Sequence, residues 1–192
     1  MNNGELELIL QAQKGNMSAF EQLVQKYDKQ VISIALKYVN SSEDAKDIYQ
    51  EVFLRVYKGL PKFQLKSEFS TWLFRITTNV CLSYKSVRQK QKLVSLDQSY
   101  NGEEGESHTL KDTIASDAST DSYTCNKELS NRIEDALKSL PARQRMVFTL
   151  KHYEGYKLRE IAVMMNCTEG TVKRYLFEAI RRLRNQLEDL RV

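Results

Sequence analysis

Residues 158–184 read LREIAVMMNCTEGTVKRYLFEAIRRLR, and the order of apolar and charged side chains in them decides the fold. Ile161, Ala162 and Met165 recur at helical spacing in a short first segment. Asn166-Cys167-Thr168 then makes a tight turn, and Thr168 is suited to cap a second helix, because its hydroxyl oxygen can accept from an otherwise unpaired amide of the first turn. In that second helix Val172, Leu176, Ile180, Leu183 and Leu187 share one face. At about 100° per residue, Arg174, Phe177 and Arg181 point the other way. Two short helices joined in this manner are a helix-turn-helix. A solvated face gains nothing from an aromatic ring between two arginines. In a DNA major groove, arginine reads guanine or phosphate and an apolar group meets a thymine methyl. Lys173, Arg182 and Arg184 flank that face and can hold the phosphate backbone. Thr168, Glu169, Gly170 and Thr171, at the start of the helix, belong to the same candidate surface. Glu178 can accept a hydrogen bond from cytosine or simply repel phosphate. An amphipathic helix with a charged outer face would show the same period; the capped turn and the basic bias favour DNA.

Helical periodicity extends upstream from about Asn126. Leu129, Ile133, Ala136, Leu137 and Leu140 form one stripe, and Pro141 suits the first turn of a helix that carries Val147 and Leu150 and stops near Gly155. Between residues 93 and 124 the composition shifts to Ser, Thr, Gly and acid, with Asp97, Glu103, Glu104, Glu106, Asp112, Asp117 and Asp121. That stretch is expected to be a flexible acidic linker. Residues 1–92 are helical again. A short helix from Glu5 to Lys14 stops at Gly15, and a long one from Met17 to Val39 carries a stripe from Phe20 to Tyr38. Ser42 is expected to cap a third helix, with Ala45, Ile48, Val52, Val56 and Leu60 buried. Pro61 is expected to end it, because the residue before proline avoids helical angles. After a loop from Lys62 to Glu68, a fourth helix carries Phe69, Leu73, Ile76, Val80 and Val87, then a basic tail of Lys85, Arg88, Lys90 and Lys92. The expected fold is all-α. Two small helical domains, 1–92 and 125–192, are joined by residues 93–124 and are expected to draw closer together and move independently when free.

The 192 residues are 41% apolar, enough to bury a core, and a net charge of +4 alone does not point to nucleic acid. Only 2 prolines and 7 glycines speak against a turn-rich β fold. Cys81, Cys125 and Cys167 are far apart, and His108 and His152 stand at no metal-like spacing beside them, so no metal and no cofactor is expected. No Gly-rich phosphate loop and no nucleophile–base arrangement is present, so no catalysis is expected. The first residues lack a charged segment followed by an apolar one, and no apolar run reaches membrane length. A cytoplasmic protein without membrane insertion is the expectation.

A second candidate surface lies in the N-terminal part. Unpaired bases are held by aromatic stacking, amide hydrogen bonds and a cationic groove. Phe63, Phe69, Trp72, Arg75, Asn79 and Tyr84 crowd into one loop and helix, followed by Lys85 and Arg88. Asn79, a poor helix former, suits a hydrogen-bonding purpose there. Phe63, Phe69 and Trp72 can equally be core.

Three blocks in order resemble the extracytoplasmic-function sigma factors of the sigma-70 family. DAKDIYQEVFLRVYKGLPKF, residues 44–63, resembles the region that grips the clamp helices of RNA polymerase. FSTWLFRITTNVCLSYKSVRQKQ, residues 69–91, is similar to the region that recognises and opens the proximal promoter element. SLPARQRMVFTLKHYEGYKLREIAVMMNCTEGTVKRYLFEAIRRLR, residues 139–184, is similar to the domain that binds the distal element. The resemblance implies partners: the polymerase core, through its beta-prime clamp helices and beta flap, promoter DNA, and an anti-sigma factor. It implies that Asp44, Asp47, Gln50, Glu51, Phe53 and Arg55 face polymerase, and that Lys62, Gln64, Lys66 and Ser67 shape a pocket for a flipped base. The segment KRYLFE departs from the family, where a small polar residue often stands near Arg174 and basic ones near Tyr175 and Glu178. That leaves the distal promoter sequence open. A stand-alone helix-turn-helix regulator would not need the loop's aromatic and amide groups, and a helical adaptor would not need two basic patches.

Overall fold

The computed structural model describes the backbone of residues 3–96 and 120–188, and the side chains of 3–84 and 129–188 within them. The expected linker between residues 97 and 119 lies outside the described residues, as do the side chains of Lys85 and Arg88. Every element described is a helix. The N-terminal group comprises α1 (Asn3–Gln13), α2 (Met17–Val39), α3 (Ser42–Gly59), a 3₁₀ turn (Leu60–Lys62) and α4 (Phe69–Leu96). The C-terminal group comprises α5 (Thr120–Ser139), α6 (Ala142–Phe148) running into a π turn (Thr149–Tyr153), α7 (Leu158–Met164) and α8 (Glu169–Gln186). Thus α4 and α5 both reach into the stretch read as linker, by four residues at one end and five at the other. Composition marks a loss of core-forming residues, and helical backbone can outlast it.

Local chemistry sets most element ends. Gly15, at φ 92°, closes α1, and Asn16 caps α2 by accepting from the Ala19 amide at 3.2 Å. Three expectations need correction. Ser41, one residue before Ser42, caps α3, its hydroxyl accepting from the Asp44 amide at 3.3 Å. Leu60, ahead of Pro61, keeps helical angles of −57° and −42°. The proline does not turn the chain out at once, because it sits at the opening of the 3₁₀ turn, where a missing N–H deprives no partner. Pro141 occupies the position just before α6 rather than its first turn.

The helix α4 is the central element. Its expected stripe is too narrow: Phe74, Thr77, Thr78 and Cys81 are buried as well as Phe69, Leu73 and Val80. The hydroxyls of Thr77 and Thr78 donate back to the carbonyls of Leu73 and Phe74 at 3.1 and 2.7 Å, so two polar residues enter the interior satisfied. The extra width arises because α4 is covered by α2 and α3 and also by α6 and α7. Phe74 spans that junction, 6.1 Å from the Tyr27 ring and 5.6 Å from the Tyr156 ring.

The two helical groups are therefore in contact, where the sequence reading expects independent bodies, and one apolar cluster runs through both. Arg145, 4% exposed, donates to the Tyr38 carbonyl at 2.7 Å and to the Lys138 carbonyl at 3.1 Å. Its guanidinium lies 5.4 Å from the Tyr38 ring centre, and burial lowers its pKa from the ordinary value. Glu154, just past the π turn, accepts from Ser33 and from Lys37, both at 3.0 Å. Among the described residues, Arg145 Nε and the Tyr38 hydroxyl are buried with no hydrogen-bond partner. Such groups subtract from the stability of the junction.

Candidate nucleic-acid interface

The distal surface is built as its local sequence dictates. The amide of Lys157 donates to Glu160 at 2.8 Å, which closes the N-terminus of α7. Asn166 takes a left-handed conformation, φ 50°, and its amide and that of Cys167 satisfy the last carbonyls of α7. Thr168 then caps α8, accepting from the Thr171 amide at 3.2 Å, with its hydroxyl 2.9 Å from that of Thr171. Glu169 and Gly170 complete an exposed first turn.

Val172, Ala179 and Leu183 are the buried side chains of α8. Ile180, expected inside, is exposed, because Ala179 takes the place against Ala136, Leu137 and Leu140. The small shift in the stripe leaves the opposite face as read. Phe177 is 67% exposed, and Lys173, Arg174 and Arg181 are exposed around it. Lys173 pairs with Glu169 at 3.0 Å and Arg174 with Glu178 at 4.0 Å, both along the helix. Exposed pairs of this kind are weak enough to exchange for phosphate. Glu178 is less available for a base: its other oxygen accepts from the buried Gln144 at 2.6 Å, which anchors it to α6.

The proximal surface is built differently. Phe63 is only 8% exposed and Phe69 is fully buried. Half-buried Trp72 stacks on Phe63, 4.7 Å apart at 26°, and leans on Phe69 at 5.7 Å. Both readings of these rings thus meet in one cluster, with Phe63 and Phe69 inside and Trp72 at the edge. A Cβ on Gly59 would come within 3.1 Å of the indole, so glycine there lets the ring lie against the end of α3. The loop groups Lys62, Gln64, Lys66 and Ser67 are exposed beyond this cluster. Leu65 between them has φ 57°, a costly conformation for a branched side chain, and one the sequence gives no sign of.

On α4, Arg75 and Asn79 are exposed, and an Arg75 nitrogen lies 3.4 Å from Asn166 of the helix-turn-helix turn. Tyr84 does not stand open. Its hydroxyl donates to Asp44 at 3.0 Å and to Asp47 at 3.3 Å. Burial, then the Asp47 carboxylate, raises its pKa above the usual tyrosine value. A residue read as a base contact is thereby joined to two read as polymerase contacts.

On α3, Asp47, Gln50 and Arg55 are exposed, with Glu51 paired to Arg55 at 2.6 Å and Phe53 half-buried edge-on to Tyr49 at 4.8 Å. Leu54 is exposed on the same helix and was missed. The signal was present: two residues past Val52, it stands about 200° around from the buried stripe. An apolar side chain opposite its own core face suits a protein contact.

Among the described residues no group of acidic, histidine and cysteine side chains could hold a metal, and no helix is long and apolar enough to cross a membrane. Burial pushes the Cys81 thiol up to about 12, which leaves it unreactive.

Residues 23–91 match the family model for sigma-70 region 2, and residues 130–183 match that for sigma-70 region 4. The chain is 34% identical over 183 residues to the ECF RNA polymerase sigma factor SigW of Bacillus subtilis, covering 95% of this chain and 96% of that protein. It is 32% identical over 183 residues to the ECF RNA polymerase sigma-E factor of Escherichia coli, covering 95% and 94%. In fold it is similar to CnrH in complex with the cytosolic domain of CnrY, with a TM-score of 0.66 at 21% identity, covering 97% of this chain and 99% of that one. The sigma factor RpoE in complex with the anti-sigma factor NepR from Bartonella quintana gives 0.63 at 21% identity, covering 88% and 96%. With two helical regions in family order and relatives matched along nearly its whole length, the chain belongs to the sigma-70 family as an extracytoplasmic-function sigma factor, a non-enzymatic subunit that directs RNA polymerase to promoters.

Proposed function

We propose that the two surfaces divide the promoter between them. The face of α8 formed by Lys173, Arg174, Phe177 and Arg181 enters the major groove of the distal element. Lys62, Gln64, Lys66 and Ser67 of the loop, with Trp72, Arg75 and Asn79, capture unpaired bases of the proximal element. Lys85 and Arg88 continue that track along the backbone. The α3 surface of Asp47, Gln50, Glu51, Phe53 and Arg55, with Leu54, binds the clamp helices of the polymerase core, and the C-terminal helices meet the beta flap. The protein works in the cytoplasm, with residues 1–92 and 125–192 as its two working domains. The observation that carries the division is the exposed Phe177 between arginines on a helix whose opposite face packs into the core through Val172, Ala179 and Leu183.

The contact between the two groups supports a further part of the reading. Two promoter elements about two helical turns apart lie roughly 70 Å from one another. A molecule in which Arg75 of α4 lies beside Asn166 cannot reach both. We infer that the closed arrangement is the resting form, opened when polymerase binds, and that an anti-sigma factor holds it closed. One neighbour in fold, RpoE, is itself in complex with the anti-sigma factor NepR, and another, CnrH, with the cytosolic domain of CnrY. Run-off transcription with core polymerase tests the function: promoter-specific transcripts that require this protein are expected. Specific binding to promoter duplexes without polymerase, and no transcript with it, would favour a stand-alone regulator.

A further inference from the structure

The loop that carries Lys62, Gln64, Lys66 and Ser67 is rooted at one point, and a residue far away in sequence holds that point. Gln13 is the last residue of α1. Its side-chain amide donates to the Leu60 carbonyl at 3.0 Å and to the Phe63 carbonyl at 2.7 Å. Both protons of one amide group are thus used on the two ends of the Pro61 turn. The Phe63 amide also donates to the Leu60 carbonyl at 3.0 Å, so the turn is closed from inside and clamped from outside.

The clamp is itself rigid. Immediately after Gln13 the chain turns through Gly15 at φ 92°, and Asn16 caps α2, while the Asn16 amide donates back to the Gln11 carbonyl at 3.1 Å. Gln13 therefore has little freedom of its own. On the other side, the Phe63 ring is fixed by Trp72 and Phe69. From that peptide outward, the loop has few anchors. Gln64, Lys66 and Ser67 are exposed, and Leu65 turns back through a left-handed conformation with its side chain packed on the core. Where the Phe63 peptide sits decides where the exposed tip sits.

We propose that Gln13 is a positioning residue for capture of the unpaired base: it touches no DNA, and sets the height and tilt of the loop that does. It lies outside residues 23–91, the part matched by the family model. The proposal rests on the reading of the loop as a base-capture element. A glutamine is suited to the task because it offers two coplanar donors to two carbonyls and carries no charge. Glutamate has the same shape and would turn a carboxylate towards both oxygens.

The test uses the full chain with core polymerase and promoters carrying a fluorescent base analogue at the upstream edge of the opened region. The variants are Gln13→Glu, Gln13→Leu, and Lys66→Ala with Gln64→Ala in the loop. Both Gln13 variants are expected to slow opening by about tenfold to a hundredfold, since a displacement of about 1 Å can cost about a hundredfold. Core affinity is expected to stay within about twofold. The discriminating readout is a ratio of opening rates between promoters that differ at the single unpaired base. A displaced loop changes that ratio, whereas loss of folded protein lowers both rates alike. Gln13→Leu keeps the test valid if the half-buried carboxylate of Gln13→Glu prevents folding. If the loop variant changes the ratio and neither Gln13 variant does, the positioning role is overturned. If neither the loop variant nor the Gln13 variants affect opening, the reading of the loop fails, and the role of Gln13 falls with it.

Discussion

The two surfaces proposed to face DNA are made by opposite strategies. On α8 the binding face and the core face are separate: Val172, Ala179 and Leu183 are buried, and Arg174, Phe177 and Arg181 are on the far side. In the loop and α4 the residues proposed to bind are also the ones that pack. Phe63, Phe69 and Trp72 form a packed cluster, Tyr84 is tied to Asp44 and Asp47, and Arg75 meets the other helical group. A groove-reading helix needs only exposed side chains on a rigid rod. A pocket for an unpaired base needs concavity, and concavity requires walls that are themselves part of the core. Substitutions should therefore separate binding from folding on the distal surface and confound them on the proximal one.

The largest effect is expected at Phe69. Phe69→Ala should cost about 3–5 kcal/mol of folding free energy, read as a lower midpoint in urea. An unchanged midpoint would mean that the proximal aromatic cluster is a free binding platform, and the contrast drawn here would collapse.

On the distal side, Arg181→Ala should leave that midpoint almost in place. It should weaken distal-element binding by about 1–3 kcal/mol and relax selectivity at one base pair. Lys173→Ala, at a proposed backbone contact, should weaken all sequences alike and flatten the salt dependence by about one unit. Titrations on a duplex with each base changed in turn distinguish the two. Equal losses for both variants on every sequence would remove base reading from α8.

A smaller change is expected at the junction of the two groups. Glu154→Lys replaces the partner of Lys37 with a like charge. Lys37 is partly exposed, so solvent screening limits the effect to about 1 kcal/mol, or about fivefold in the ratio of closed to open forms. Lys37→Glu added to it should restore part of the closure. Dyes on cysteines introduced at the exposed Lys58 and Asn185, with Cys125 and Cys167 replaced and the buried Cys81 kept, report the distance by energy transfer. Transfer that is high in the single variant, the double variant and the parent alike would show that Glu154 does not latch the closed form.

Tyr84→Phe should change least, by under about 1 kcal/mol, since the hydroxyl is only partly buried. Its raised pKa keeps the proton on the oxygen. Stability from this contact is whole below the ordinary tyrosine value of 10.0 and is lost only as the pH rises past the raised one. Flat stability from neutral pH to about 9 is the expected urea profile. If Tyr84→Phe instead abolishes promoter opening with stability unchanged, Tyr84 is a base contact after all and leaves Asp44 and Asp47 on binding DNA.

What the sequence by itself determined is whatever rests on local physics. Helical periods placed α2 at about Met17 to Val39, where it is found, and the turn chemistry of Asn166 and Thr168 located the helix-turn-helix and the outward face of α8. Hydrogen bonds between a side chain and the next turn, and a 3.6-residue repeat, are legible without knowing what lies opposite. The resemblance to the family, carried by the same residues, supplied the division into regions. Only the tertiary structure decided the width of the buried face of α4, the exchange of Ile180 for Ala179, the burial of Arg145 against Tyr38, and the reach of Gln13 to the Pro61 turn. Each of these depends on a partner brought close by the fold: Gln13 lies 47 residues from Leu60, and Arg145 lies 107 from Tyr38. A polar residue in a helical pattern reads as surface until something is packed against it, so the residues that position the loop and close the molecule were the ones the sequence could not reveal.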